Sequence, residues 1–503
     1  MQTCVTRRAA LVIPLVTACV GSHAEEYWAC QYGDFDITSV GTKAFAANVA
    51  HNVARFDSAL SRILNINSTY RVPTRIYVLS SADMKQLLGD DSAASYHYSG
   101  FDVTVMASFS RDADAYWGVY FGYAGGLLIS ERAVRYPNWL LIGVPEVFAD
   151  ASFERGNIRT GGVSPGYAAT YLRGTPIPMR TFLSLQRGDP QLRSGPYRQI
   201  YDAEAWFLTR EIFVESKYQP EFLQYLSLMS RGTGEREAFA ASFKISYEEL
   251  DKVLAAAVHE RAHVYVVPVA KEAAVSGTPM PLSRSEFKGR LAGLMVRHGH
   301  RDVALRLAAE ALQGEPANVH ALCASARAHL EDEDYAASLA DIDRLSAQHL
   351  SSAEAYAERA AILAGLAAAV AGKHAALAAD AATLNHRAHE DYQRAIDLDA
   401  EDLRAWAGMA QLYASMRDAE GAKTFLPNAE QVLERHPRNP GLPRALTHMC
   451  AVTGQIDCAF RFAEYWRVNA LTDADRDGAN AYLSRLKTAP PVGPAPAGGP
   501  ATH

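Results

Sequence analysis

The feature that most constrains this chain is a repeating pattern of small residues in its C-terminal part. Residues 285–487 are rich in alanine and follow a helical period almost throughout. One copy of the pattern contains Leu291, Ala292, Gly299, Ala304, Ala308, Ala311 and Pro316, and a second contains Trp406, Ala410, Tyr413, Ala422, Leu426 and Ala429. Small residues at fixed spacings let two helices approach closely, and each pair needs its neighbours to bury a shared core. The pattern therefore predicts stacked helix pairs.

Less complete copies of the same pattern occur elsewhere in this region. They contain Tyr335 with Ser338, then Ala388, Tyr392, Ala395 and Ile396, and finally Gly454 with Ala459. The spacing resembles that of tetratricopeptide repeats, which implies a superhelix whose concave surface contacts a peptide or protein partner. The period breaks between about residues 360 and 387, where we expect an alanine-rich insertion to lengthen two helices. An unrelated alanine-rich helical bundle is the alternative.

The first half of the chain has a mixed pattern. A chain of 503 residues is too long for one ordinary domain. Within residues 25–270, strand patterns at 71–79 and 101–106 precede helical patterns at 112–129 and 139–153, which predicts an α+β domain. We expect a linker at 271–284, the repeats at 285–487, and a disordered tail of proline, glycine and alanine at 488–503.

The N-terminus has the pattern of an export signal. Arg7 and Arg8 precede an apolar stretch at 9–20, and Ala24 ends a small-x-small cleavage pattern, so residues 1–24 are predicted to be a signal peptide. A lipoprotein signal with a lipid anchor at Cys19 is the alternative. The chain is therefore expected in the periplasm or cell envelope, or among secreted proteins. A net charge of −7 without a basic stretch argues against nucleic acid as a partner, and no later apolar run is long enough for a transmembrane span.

Export permits disulfides, and four cysteines follow Ala24. Cys450 and Cys458 flank a predicted helix–helix turn at Gly454, so they can bridge two antiparallel helices. Two buried free thiols are the other interpretation, and the spacing does not decide between them.

Two helical tracts in the first half give the strongest functional hint. The first, at 120–128, reads YFGYAGGLL, and the second, at 136–146, reads YPNWLLIGVPE. They resemble the active-site frame of the peptidase-MA-like gluzincins, the thermolysin-type zinc-peptidase superfamily of bacteria that is often joined to tetratricopeptide repeats. The resemblance spans about residues 30–255 and includes the motifs at 71–78, 200–206, 238–243 and 247–250. It implies an α+β zincin-like N-terminal domain, followed by an all-α tetratricopeptide-type helical-repeat domain.

The resemblance also implies that the zinc site has been lost. A working site has His-Glu-x-x-His on the first helix and a carboxylate ligand on the second. Phe121, Gly122 and Gly125 stand at the His, Glu and His positions, and Ile142 stands at the carboxylate position. None of these side chains can bind a metal or accept a proton. The implied protein is a non-catalytic pseudopeptidase without metal or cofactor.

Other residues of the two tracts match framework positions of the family: Tyr123, Trp139, Gly143 and Glu146. The former substrate cleft is a candidate binding site. We call it the vestigial cleft and define it as Phe121, Gly122, Tyr123, Gly125, Trp139, Ile142 and Glu146.

A second motif keeps an enzyme hypothesis open. His259-Glu260-x-x-His263 has the spacing of a zinc-binding helix, so a metallopeptidase using it is one alternative function. Arg261 inside the motif and the β-type residues at 264–268 favour a solvated helix end instead. A third hypothesis makes the first domain a purely structural platform for the repeats. The preferred prediction is an exported pseudopeptidase that binds or scaffolds proteins through its helical repeats.

Overall fold

A computed structural model shows an α+β region followed by an array of paired helices. It describes residues 26–488 except 34, 65–72, 90–94, 100–102, 110–111, 131–135, 163, 187–188, 232, 261–263, 269–276, 349, 373–376, 378, 437–438, 440 and 471–472. The predicted signal peptide with Cys19 and the tail beyond Thr488 lie outside these residues. None of the helices described has the length and apolar character needed to cross a bilayer.

The described part of the α+β region contains two sheets. Their strands are β1 (Tyr27–Tyr32), β2 (Phe35–Val40), β3 (Thr74–Ser80), β4 (Ser95–Ser99), β5 (Val103–Phe109), β6 (Ser152–Glu154), β7 (Asn157–Thr160), β8 (Tyr265–Pro268) and β9 (Met280–Leu282). The larger sheet has the order β4-β5-β3-β2-β1-β9; β2, β3 and β5 are parallel, and the other neighbours pair antiparallel. The smaller sheet is the antiparallel β6-β7-β8.

The helices of this region mostly follow the strands, as the sequence predicted. They are α1 (Lys43–Ile63), α2 (Ser81–Leu88), α3 (Asp112–Ser130), α4 (Asn138–Phe148), α5 (Pro165–Arg173), α6 (Met179–Phe182), α7 (Pro196–Phe213), α8 (Gln219–Ser230), α9 (Glu235–Ser242) and α10 (Tyr247–Ala257), with a short 3₁₀ turn at Pro190–Leu192. The predicted α+β character of the region is confirmed.

Both faces of the larger sheet are covered. Along β3, Ile76 and Val78 join the core shared with α1 and α3, whereas Tyr77 and Leu79 belong to a second core on the opposite face. Successive strand residues point to opposite faces, so a strand buried on both sides is apolar throughout. This explains why residues 76–79 form an unbroken apolar run rather than an alternating one.

The second core joins the sheet to the repeats. Tyr77, Leu79 and Met106 of the sheet share it with Leu291 and Met295. Residues 280–282 of the predicted linker form β9, which pairs with β1 at the edge of the sheet. The sheet therefore covers the first end of the helical array, where repeat proteins need a cap.

Within the described residues, the helical array consists of five helix pairs and a final helix. They are α11 (Arg284–Arg297) with α12 (Arg301–Gly314), α13 (Val319–Glu331) with α14 (Tyr335–Ser346), α15 (Ala353–Ala371) with α16 (Ala381–Leu398), α17 (Leu403–Met416) with α18 (Ala419–Arg435), α19 (Gly441–Val452) with α20 (Ile456–Asn469), and α21 (Asp473–Thr488). The longest two helices of the array, α15 and α16, lie where the sequence predicted an insertion.

Neighbouring pairs stack in register. The first helix of each pair contacts the first helix of the next, from α11 through α13, α15 and α17 to α19. We call these five first helices the inner layer. The repeating small residues are buried between helices; at Gly408, for example, an added Cβ would lie 2.3 Å from the ring of Tyr392. The predicted helical-repeat architecture is confirmed by this stacking.

Candidate functional site

The two tracts of the vestigial cleft lie on two helices that pack against each other. Phe121, Gly122 and Gly125 are in α3, and Ile142 is in α4. Phe121 and Gly125 are one helical turn apart and therefore lie on the same side of α3. The two tracts that the sequence placed on helices are therefore in contact through α3 and α4.

Tyr123 points into the core of the α+β region. Its side chain is only 3% exposed, and its hydroxyl donates a hydrogen bond to Oδ1 of Asp57 in α1 at 2.6 Å. Tyr120, on the same side of α3, stacks on Phe56 of α1 with ring centroids 4.4 Å apart. This side of α3 holds the helix against α1, so Tyr123 is a core residue rather than part of a cleft.

Trp139 and Gly143 hold α4 in place. Trp139 is 2% exposed and packs edge-on against Phe222 of α8 at 5.6 Å. At Gly143 the helix α7 passes so close that an added Cβ would lie 2.4 Å from the carbonyl oxygen of Ala205 and 2.0 Å from Oγ1 of Thr209. Glycine is therefore required where α4 crosses α7, independently of any catalytic chemistry.

The side of α3 that carries Phe121 presents an aromatic pair. Trp117 stacks on Phe121 with centroids 5.0 Å apart, and the Trp117 side chain is 37% exposed. Ile142 on α4 is also partly exposed and packs at the border of the core. Carbon atoms thus occupy the positions that the family resemblance assigns to metal ligands. Among the residues described, no group of three or more His, Cys, Asp or Glu side chains is placed to hold a metal ion.

Glu146 is the one carboxylic acid of the vestigial cleft. Burial raises the pKa of its carboxyl to about 7, although Tyr167 donates a hydrogen bond that favours the ionised form; nearby Asp202 adds to the increase, and Arg198 opposes it. Arg198 pairs with Asp202 through an Nε–Oδ1 contact of 2.6 Å. Sequence reasoning missed these three neighbours of Glu146, because α5 and α7 lie far along the chain from α4.

The described residues of the His259 motif, His259 and Glu260, do not lie on a helix. Helix α10 ends at Ala257, and His259 and Glu260 follow in a turn. Glu260 accepts a hydrogen bond from Nζ of Lys217 at 3.1 Å. Lys217 also lies 2.7 Å from the carboxylate of Glu211. Residues 261–263, including His263, lie outside the described part of the chain, and β8 begins at Tyr265. Within the described residues, His259 and Glu260 therefore do not lie on one face of a helix, as the zinc motif requires.

A charge cluster that sequence reasoning did not find links the sheet to the inner layer. Glu354, in the first turn of α15, accepts hydrogen bonds from Arg75 of β3 at 2.5 Å and from Arg297 of α11 at 2.7 Å, and Arg404 of α17 lies 3.6 Å away. Burial alone would raise the pKa of Glu354, but the three guanidinium groups hold it well below its usual range. We call these four residues the Glu354 cluster.

The cysteines near the end of the array form a disulfide. Cys450 of α19 and Cys458 of α20 are bonded, with their Cα atoms 5.7 Å apart. Of the two interpretations that the sequence left open, the structure contains the bridge. Cys30 and Cys323 are buried free thiols.

Comparisons with known proteins give low similarity. No family model and no curated protein matches the chain. Solved structures that resemble it include a thermophilic TPR protein of Thermus thermophilus, with a TM-score of 0.33 and 19% identity over 40% of this chain and 99% of that one. Yeast Tom70 has a TM-score of 0.31 and 14% identity over 64% and 69%, and a tetratricopeptide repeat protein of Parabacteroides merdae has 0.29 and 15% over 54% and 93%. At such scores, the helical-repeat assignment rests on the helix stacking described above.

Proposed function

We propose that this chain is an exported, non-catalytic protein that binds or scaffolds other proteins, built from a degenerate peptidase-MA-like region and a tetratricopeptide-type array. The observation on which the proposal depends is the continuous inner layer from α11 to α19. Such a layer forms an extended surface of side chains contributed by successive helices, which suits an elongated peptide or protein ligand. Exposed polar groups on its last two members, such as Gln411 and His448, can hydrogen-bond to such a ligand.

The non-catalytic part of the proposal is supported by the chemistry of the aligned positions. The side chains of Phe121 and Ile142 are hydrocarbons, and Gly122 and Gly125 have no side chain beyond a hydrogen atom. A zinc peptidase needs ligands for the metal and a base for the water, and neither function can be served by these groups.

The proposed export is supported by two independent features. The residues up to Ala24 have the pattern of a cleaved signal. The bridge between Cys450 and Cys458 is a modification that persists in oxidising compartments and is rare in reducing ones. We therefore propose that the mature protein is found in the periplasm or cell envelope, or is secreted. Mass spectrometry of the mature N-terminus tests cleavage after Ala24 against lipidation at Cys19.

Site-specific photo-crosslinking in living cells tests the binding role. A photoreactive residue at Gln411, on the inner layer, is expected to capture defined partner proteins. The same residue at Lys423, which is exposed on the second helix α18, is the matched control. Adducts of the same identity and yield at both positions, or none at either, would contradict binding through the inner layer and favour a purely structural role.

Metal analysis separates this proposal from the metallopeptidase alternative. The purified protein is expected to contain no stoichiometric zinc and to show no proteolysis that a chelator abolishes. Tightly held zinc that disappears in His259→Ala, together with proteolysis lost in Glu260→Ala, would establish the enzyme instead.

A further inference from the structure

The sheet contacts the inner layer directly as well as through a shared core. Tyr27 of β1 stacks on Phe287 of α11 with ring centroids 4.3 Å apart. Arg290, one turn further along α11, reaches Oδ1 of Asp36 at 3.5 Å and Oγ1 of Thr38 at 3.4 Å, both in β2. Aromatic stacking and charged contacts thus occur side by side on α11.

The contact continues beyond the first helix pair. Arg75 lies two positions into β3 and reaches Glu354, which belongs to the third pair. Arg297 of the first pair meets the same carboxylate. Residues of β1, β2 and β3 on one face of the sheet therefore contact the inner layer from α11 to the start of α15.

The second pair lies between these contacts and provides a natural reporter. Cys323 of α13 is 8% exposed. Its pKa is raised first by burial and then by the negative charges of Glu358 and Glu354, whereas Arg297 has the opposite effect. Cys323 therefore lies within the electrostatic reach of the Glu354 cluster.

We propose that the six-stranded sheet is a built-in plug of the inner layer, which occupies the surface of α11, α13 and the start of α15 and restricts partners to α17 and α19. The Glu354 cluster holds the plug in place. The inference rests on the proposed binding function for its biological meaning, but the occupancy itself is a property of the chain alone. The surface left open carries Gln411 and Ser415 on α17, with Arg444 and His448 on α19. These neutral and basic groups suit an extended peptide with acidic side chains.

Thiol labelling of the full-length protein tests the plug without any partner. In a Cys4→Ser, Cys19→Ser, Cys30→Ser, Gln411→Cys variant, a polyethylene glycol maleimide reports two thiols, Cys323 and the introduced one, and the Cys450–Cys458 bridge stays unreactive. We expect the introduced thiol at position 411 to react at once and Cys323 to react at least about 100-fold more slowly, because Cys323 labels only on local opening. Equal rates in the native protein would overturn the proposal.

The second part of the test uses variants that weaken the contact between the sheet and the inner layer. Arg75→Glu places two carboxylates together and is expected to accelerate Cys323 labelling about 10-fold or more. Arg159→Glu, which removes an exposed ion pair with Glu154 in the β6–β7 hairpin, is the matched control and is expected to change nothing. If Arg75→Glu does not fold, as judged by circular dichroism, Glu354→Gln replaces it. Unchanged Cys323 labelling in a folded variant would show that the sheet does not cover this surface.

The two proposals fail in different ways. Rapid labelling of Cys323 would refute the plug and leave partner binding to be found on any part of the inner layer. Slow labelling without partner adducts at Gln411 would keep the plug and refute the binding function.

Discussion

Arg75 of β3 donates a hydrogen bond to Glu354 of α15 at 2.5 Å, across 279 positions of the chain. The two side chains are 12% and 26% exposed, and Arg297 and Arg404 surround the same carboxylate. This contact shows that the α+β region and the repeats are packed as one body around a shared charge.

Glu354→Gln is expected to destabilise the protein more than Arg75→Met does. Loss of Glu354 removes the carboxylate shared by three guanidinium groups, although Arg404 keeps its contact with Asp402, whereas loss of Arg75 leaves two partners for Glu354. We expect Arg75→Met to lower the free energy of unfolding by about 2 kcal/mol and Glu354→Gln to lower it by more. The double variant should lose less than the sum of the two single losses. Urea unfolding measures these free energies. Strict additivity would mean that the two side chains do not interact in solution.

The Glu354 carboxyl also predicts an acid effect. Because its pKa is lowered in the folded state, it stabilises the fold above its unfolded pKa, and this contribution disappears as the pH falls through the lower folded value. Wild type is therefore expected to lose more stability than Glu354→Gln when unfolding is compared at neutral and strongly acidic pH. Equal losses would contradict the assignment.

Gly143→Ala is expected to destabilise the fold by about 3 kcal/mol, because the new Cβ would collide with the backbone of α7 at Ala205. Gly293→Ala in α11 is the matched control, since nothing lies within 4 Å of an added Cβ there and alanine favours a helix. Thermal unfolding of both variants checks the pair. A Gly143→Ala variant that unfolds at the same temperature as wild type would show that α4 and α7 lie further apart than this contact implies.

Glu146 predicts a loss of stability as the pH rises. Its folded pKa of about 7 exceeds the ordinary value of 4.5, so the folded state binds the proton more tightly and becomes less stable between these two values. After allowance for the partial exposure of Glu146, we expect the free energy of unfolding to fall by about 2 kcal/mol as the pH rises through this range. Glu146→Gln should flatten the change, and Glu154→Gln in the exposed hairpin serves as the control. An equal pH dependence in wild type and Glu146→Gln would refute this prediction.

Reduction of the Cys450–Cys458 bridge is expected to destabilise the end of the array. Closing a loop of this length, with a sequence separation of 8, contributes about 2.5 kcal/mol. Hydrogen exchange should show faster opening of α19 and α20 in the presence of dithiothreitol. The Cys450→Ser, Cys458→Ser double variant should be indifferent to the reductant. A reductant effect that persists in this variant would indicate another disulfide.

The sequence was most informative where the pattern is local. Ala304 and Ala308 recur at helical spacing, so the buried side of α12 could be predicted without knowing its neighbours. The run at 120–128 likewise predicted one continuous helix, which is α3. In the vestigial cleft, local pattern gave the helices but not the direction of Tyr123 or Trp139, which face the core.

The sequence by itself determined the periodic helices, the mixed first half, and the absence of donor atoms at Phe121, Gly122, Gly125 and Ile142, because each follows from residue type and short-range spacing. Only the tertiary structure decided that the sheet covers the inner layer and that Glu354 gathers arginines from β3, α11 and α17. The sequence around Glu354 would be the same whether its side chain faced water or bound Arg75, which lies 279 positions away in the chain. Their pairing depends on the packing of distant elements, which no local pattern encodes.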